Sequence, residues 1–192
     1  MMKIYWVRHG KTEQNEKNNY YGKIDVRLTR EGVEEIKAIQ TNFNDCINIY
    51  CSPAARAIES AGLLFRDVYF KVDARLLERN MGVFEGMSYH EIGKYYPKER
   101  IEWDNDWQQY VIPEGESASM QYKRVVSFIK ELEAADQDAI VVCHAGTIRM
   151  ALSYMFGGNL DMFWKFKIHT GIVVATCYEQ DFWYMDLSRE SY

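Results

Sequence analysis

Two short apolar runs, "KIYWV" at residues 3–7 and "AIVVC" at 139–143, limit the folds open to this chain more than any other feature. Each reads as a buried strand, and the stretches between such runs carry helical spacing. After the first run, "LTREGVEEIKAIQTNF" offers Thr29 as an N-cap, with Val33, Ile36, Ile39 and Phe43 near one helical face. "INIY" (47–50) predicts a second strand, and "VYFKV" (68–72) a third. Between them "SPAARAIESAGLLF" predicts a helix with Ser52 as N-cap and Pro53 at its first position. From Gly82 to Gly115 the pattern turns irregular and rich in Tyr, Trp and charge. A helix over 117–133 follows, with Val125, Phe128, Ile129 and Leu132 on one face. After "AIVVC" comes a helix through Ile148, Leu152 and Met155, then two terminal strands, "GIVVATCYEQ" and "FWYMDL". Strands alternating with helices predict one α/β domain, a three-layer α/β/α arrangement around a mainly parallel central sheet.

Charge and cysteine usage narrow the function. At a net charge of −5 the chain lacks the basic footprint of a nucleic-acid binder, so an anion site must be a local cluster on an acidic background. The aromatic content of 15% predicts an aromatic-rich core or pocket. The four cysteines, Cys46, Cys51, Cys143 and Cys177, form neither a CxxC pair nor a zinc-ligand pattern. They read as free thiols of a cytoplasmic protein, with no membrane span and no secretory leader.

His9 and His144 stand in the same context, each at the end of an apolar strand. In α/β sheets ligands bind beyond the carboxyl ends of the strands, so two such histidines can meet in one site. Arg8 adjoins His9, and Arg56 falls in the first turn of the helix after Pro53. Guanidinium groups match phosphate oxygens, and Gly10 lets backbone approach a phosphate closely. The expected ligand is therefore a phosphoryl group. A leaving alkoxide needs a proton, and Glu78 in "LLERNMGVFEGMS" is the candidate donor. Glu85 competes with it; Glu78 is preferred because Leu76 and Leu77 before it can fix its position.

These segments resemble the histidine phosphatase, or phosphoglycerate-mutase-like, superfamily. "VRHGKTEQN" is similar to its Arg-His-Gly signature, "YYGKIDVRLTREG" to its Gly-x-x-Asp segment, and "CSPAARAIESA" to its Ser-Pro-x-x-Arg element. "LLERNMGVFEGMS", "PEGES" and "VVCHAGTIRM" resemble three further blocks in order. The resemblance implies that His9 is the nucleophile and becomes phosphohistidine. It implies that Arg8, Arg56, His144, Asn15 and Ala145 hold the phosphate, with Tyr21 and Gly22 at the substrate entrance and Glu78 as proton donor. It implies no cofactor and no metal. The expected partner is a small-molecule phosphate ester, with no nucleic acid and no membrane; the oligomeric state is left open, a homodimer being one option. Gln14 and Arg27 depart from the family pattern beside the core set.

Three activities share these residues: a metal-independent phosphomonoesterase, a phosphoglycerate mutase, and a non-catalytic binding relative. The last is disfavoured because the full reactive set is present. The mutase is disfavoured because only "RESY" follows "FWYMDLS", whereas mutases of this family carry a longer tail that helps close the site. The compact length and "YYGKIDVRLT" look most like α-ribazole phosphatases, whose substrate, α-ribazole 5'-phosphate, carries a ring. The segment around 86–115 is the expected lid; Trp103, Trp107 and Tyr110 read either as part of it or as a core patch beneath a loop. His90 and His169 read as bystanders.

Overall fold

The computed structural model describes residues 1–40, 43, 46 and 48–185. Residues Met2–Arg8 form β1, whose side chains alternate between two apolar cores. Ile4 and Trp6 enter one core, and Tyr5 and Val7 the other, as the two-residue period of a strand requires. The remaining strands are β2 (Ile49–Cys51), β3 (Lys71–Val72), β4 (Ala139–Cys143), β5 (Val173–Glu179) and β6 (Phe182–Met185). They form one sheet in the order β3-β2-β4-β1-β5-β6. The first four strands are mutually parallel, and β5 runs antiparallel to both β1 and β6. The mainly parallel sheet expected from the sequence is what forms.

The helices are α1 (Glu13–Glu16), α2 (Arg30–Lys37), α3 (Ala55–Leu64), α4 (Tyr89–Tyr95), α5 (Pro97–Asn105), α6 (Ala118–Ala135) and α7 (Ala145–Gly157). Helices α6 and α7 bury Val125, Phe128, Ile129, Leu132, Ile148 and Leu152 on one face of the sheet. Helix α3 buries Ala57 and Ala61 on the opposite face, with α2 beside it, which completes the three layers. Each large aliphatic or aromatic side chain buried this way contributes about 1.5–3 kcal/mol. Trp6 also donates from Nε1 to Thr176 Oγ1 at 3.1 Å, tying β1 to β5 through the core.

Pairing of β1 with β4 sets the site. Arg8 lies opposite Cys143, so His9 and His144 leave the sheet side by side at its carboxyl edge. The His9 amide continues the ladder one step further, donating to the Cys143 carbonyl at 3.0 Å.

Four expectations need correction. The third strand shrinks to Lys71–Val72, because the three-residue β2 offers it only two pairing positions; Val68 and Tyr69 are exposed. The first long helix stops at Lys37, and Ile39 and Phe43 reach the core from beyond its end. Ser52 does not cap α3. The N-cap is Ala54, and the Ala55 amide is taken by Asp25 Oδ1 at 2.8 Å from a distant loop. The segment read as irregular contains α4, with a Ser88/Glu91 capping box, and α5, with Pro97 at its first position. They enclose a third small core of Met81, Phe84, Ile92, Trp103 and Ile112. Ile47 of the second strand, and Asp186 and Leu187 of the last, lie outside the described residues.

Candidate active site

His9 follows β1, and its Nδ1 lies 2.7 Å from the Gly10 carbonyl oxygen. A carbonyl only accepts, so Nδ1 carries the hydrogen and donates it, leaving the lone pair on Nε2. Burial, then the Arg8 and Arg56 charges, hold the His9 pKa well below 6.5. The ring is therefore a neutral base with a fixed tautomer. Gly10 is required for a reason other than phosphate access: a Cβ there would collide with the Gly32 carbonyl at the start of α2.

His144 is the N-cap of α7, fully buried, with its ring centroid 5.2 Å from that of His9. Arg56 Nε donates to its Nδ1 at 3.2 Å, which forces the neutral ring's hydrogen onto Nε2, 2.7 Å from Ser52 Oγ. This is where the Ser52 hydroxyl goes instead of capping α3. Burial, followed by Arg56, His9 and Arg8, pushes the His144 pKa well below 6.5. In this arrangement both His144 nitrogens are engaged, and its visible task is to orient Arg56.

Arg56 is 0% exposed, yet its partners are neutral: His144, the Ile24 and Gly22 carbonyls, and the Tyr21 ring at 4.5 Å. Arg8 donates from Nη1 to the Ile168 carbonyl at 2.7 Å, and its buried Nε has no partner at all. Neither guanidinium has an ion-pair partner among the described residues, and burial lowers the pKa of both. Two buried cations without a direct ion pair are expensive, with only the more distant Glu78 charge favouring both, and an anion between them lowers that cost. The two guanidiniums thus place positive charge without an ion-pair partner beside the free lone pair of His9 Nε2, an arrangement suited to an anion.

A cavity of about 540 Å³ opens over this floor. Arg8, Asn15, Tyr21, Glu78 and Ala145, all expected from the sequence, line it. His9, Arg56 and His144 are buried and contribute no wall. Gly22 borders a separate cavity of about 550 Å³ on the other side of Glu78, so it shapes the Arg56 pocket through its carbonyl instead of lining the main one. Asn15 does two things: its Oδ1 accepts from the Thr12 amide and hydroxyl, and its side chain faces the cavity. Tyr21 is held by a 2.7 Å hydrogen bond between its hydroxyl and that of Thr12.

The two carboxylates separate by environment. Glu85 accepts from the amides of Gly22, Lys23, Ile24 and Met81 and ties two loops together. Glu78 lines the cavity, and a Cβ on Gly146 would collide with its carboxylate. Among the described residues no group of three or more His, Cys, Asp or Glu is placed to hold a metal.

Sequence reasoning missed Arg149, Phe163, Trp164 and Gln121, all in the cavity wall. Arg149 could have been found: it lies four residues after Ala145, on the same face of α7. Its guanidinium packs at 5.5 Å over both Phe163 and Trp164. Trp107 packs at a tilt against the same pair; Trp103 and Trp107 border the cavity and also pack, with Tyr110, in the small third core. His169 reaches the rim, and His90 is exposed on α4 away from it.

Comparison with known proteins agrees with this geometry. Residues 4–190 match the family model of the histidine phosphatase superfamily, branch 1. An adenosylcobalamin/alpha-ribazole phosphatase of Salmonella typhimurium is 27% identical over 176 residues, covering 88% of this chain and 87% of that one. Phosphoserine phosphatase 1 of Hydrogenobacter thermophilus is also 27% identical, over 172 residues, covering 86% and 82%. The crystal structure of the alpha-ribazole phosphatase from Shigella flexneri superimposes with a TM-score of 0.88 at 26% identity, covering 96% of this chain and 95% of that one. With the sheet, the paired histidines and the family match in agreement, the chain belongs to branch 1 of the histidine phosphatase superfamily and is an enzyme of phosphatase type.

Proposed function

We propose that the protein is a metal-independent phosphomonoesterase acting through a phosphohistidine on His9, with α-ribazole 5'-phosphate as its first candidate substrate. The observation that carries the reading is the pair of buried guanidiniums without an ion-pair partner, beside an imidazole whose Nε2 holds a free lone pair. In the first step His9 Nε2 attacks phosphorus, the P–O ester bond breaks, and Glu78 gives its proton to the departing oxygen. Arg8, Arg56, Asn15 and the start of α7 at Ala145 hold the phosphoryl oxygens, with His144 orienting Arg56, so fixed positive charge meets the charge of the transition state. In the second step water attacks phosphorus, the Glu78 carboxylate takes its proton, and the N–P bond breaks to release phosphate. Two steps with a good internal nucleophile replace one difficult displacement.

The ring-bearing substrate is supported by the aromatic wall of Trp103, Trp107, Phe163 and Trp164, which offers flat apolar surface for stacking. Segment 86–115 acts in this reading as lid and selector. Phosphoserine is the competing substrate, since relatives of both names match equally well. The cytoplasm is the proposed setting, because the four cysteines are free thiols; no helix among the described residues is long and apolar enough to cross a membrane.

A panel of α-ribazole 5'-phosphate, phosphoserine, 3-phosphoglycerate and sugar phosphates, scored for released phosphate and for isomerised product, tests the reading. Hydrolysis is expected with α-ribazole 5'-phosphate the preferred substrate; net isomerisation of 3-phosphoglycerate would instead identify a mutase. Activity is expected to survive excess EDTA, because the arginines supply the charge that a metal otherwise brings. Full loss restored by a divalent ion would contradict the site. Trp107→Ala is expected to raise KM for the ring-bearing ester more than for a small alkyl phosphate. An equal change for both, with a lowered Tm, would make Trp107 a packing residue only.

A further inference from the structure

Glu78 does not stand alone in the cavity wall. Its Oε1 accepts from Gln121 Nε2 at 2.9 Å and from the Arg79 amide at 3.0 Å, while Oε2 accepts from the Gly146 amide at 2.8 Å. Gln121 is 1% exposed on α6, and its amide is also 3.4 Å from Thr147 Oγ1. Thr147 lies in turn within reach of the Leu76 and Leu77 carbonyls, directly before Glu78. One turn further along α6, Arg124 binds the carbonyls of Arg75, Leu77 and Glu78 and is anchored by Glu116 at 2.6 Å. One face of α6 thus grips both the backbone and the carboxylate of the acid.

We infer that Gln121 is a positioning residue for Glu78 and that it places the transferable proton on Oε2. The inference rests on the phosphatase reading above. An amide N–H can only donate, so the two donors on Oε1 occupy both of its lone pairs. Oε2 has one donor and one open lone pair, and the acid's hydrogen sits there. When that O–H bond breaks, its electron pair stays on Oε2, the proton goes to the ester oxygen, and the P–O bond breaks as N–P forms. The carboxylate left behind meets three N–H donors already in place, so nothing has to reorient at the moment of transfer. Without Gln121 one Oε1 lone pair opens, the proton can occupy either oxygen, and the carboxyl can rotate away from the ester.

Gln121→Met keeps the length of the side chain and removes the donor. A misplaced catalytic group can cost on the order of 10²-fold in rate, so kcat for an alkyl ester such as β-glycerol phosphate is expected to fall by that factor. p-Nitrophenyl phosphate, whose leaving group needs little protonation, is expected to lose only a few-fold (on the scale set by leaving-group assistance). The inhibition constant of inorganic phosphate is expected to stay unchanged, since it reports the arginine floor. Gln121→Leu, which keeps an apolar side chain of similar bulk and also removes the donor, is expected to show the same selective loss. Equal losses on both esters in both variants, or an unchanged alkyl rate, would overturn the role of Gln121. Wild-type protein that released phosphate from neither ester would overturn the phosphatase reading itself.

Discussion

His9→Ala is expected to lose turnover by a factor on the order of 10⁴ or more, the scale seen when a covalent nucleophile is removed. The fold is expected to survive. His9 makes one side-chain hydrogen bond, to the next residue's carbonyl, and an edge contact with His144. Loss of such contacts belongs to the ordinary range of about 0.5–3 kcal/mol. The buried arginines remain, so phosphate binding is expected to persist in the inactive variant. The pH profile gives an independent check on the same ring. Burial and the two neighbouring guanidiniums favour neutral His9, so the reactive form persists as pH falls through 6.5. The acid limb of kcat/KM that belongs to His9 is expected well below that pH. Full activity in His9→Ala would contradict this assignment outright.

The second large effect is expected at Glu78. Glu78→Gln keeps the shape but has no proton to give, and turnover of an alkyl ester is expected to fall by about 10²–10⁴. An activated aryl phosphate is expected to suffer much less. Glu85 is the control, because the structure gives it a different task. Its carboxylate accepts four backbone amides, three of them part-buried, that would lose this acceptor in Glu85→Ala. Unsatisfied buried donors cost about 1–3 kcal/mol each where water cannot replace the acceptor. A lowered Tm with no leaving-group dependence is the expected signature of Glu85→Ala. Leaving-group dependence at Glu85 and none at Glu78 would exchange the two roles.

Much of this site was legible because its first members are fixed by local sequence. A buried strand followed by His9, and another followed by His144, need only a parallel pairing to meet, and β1 with β4 supplies it in register. Arg56 was legible for the same reason, lying in the first turn of the helix that follows the strand ending at Cys51. What stayed hidden depends on partners remote in sequence. Ser52 has the residue type and position of an N-cap, but the Ser52–His144 contact spans 92 positions and outcompetes the local one. Asp25 then caps α3 from thirty residues away. Helices α4 and α5 gave little apolar rhythm because each buries one side chain, Ile92 and Trp103, into a small core assembled from distant segments. The capping box Ser88-Tyr89-His90-Glu91 and Pro97 at the first position of α5 were the local signals for them. Gln121 reads as an ordinary polar residue on α6, and only the crossing of α6 over residues 75–78 brings it to Glu78.

The proposed mechanism places a covalent phosphoryl group on His9 Nε2, the nitrogen left free when Nδ1 donates to the Gly10 carbonyl. Brief exposure of the wild-type enzyme to a labelled phosphomonoester, quenched in alkali where a phosphoramidate survives, tests it directly. An acid-labile label is expected on the peptide that contains His9, absent from His9→Ala and trapped slowly in His144→Ala. Label mapping reproducibly to His144, or to any carboxylate or hydroxyl, would contradict it.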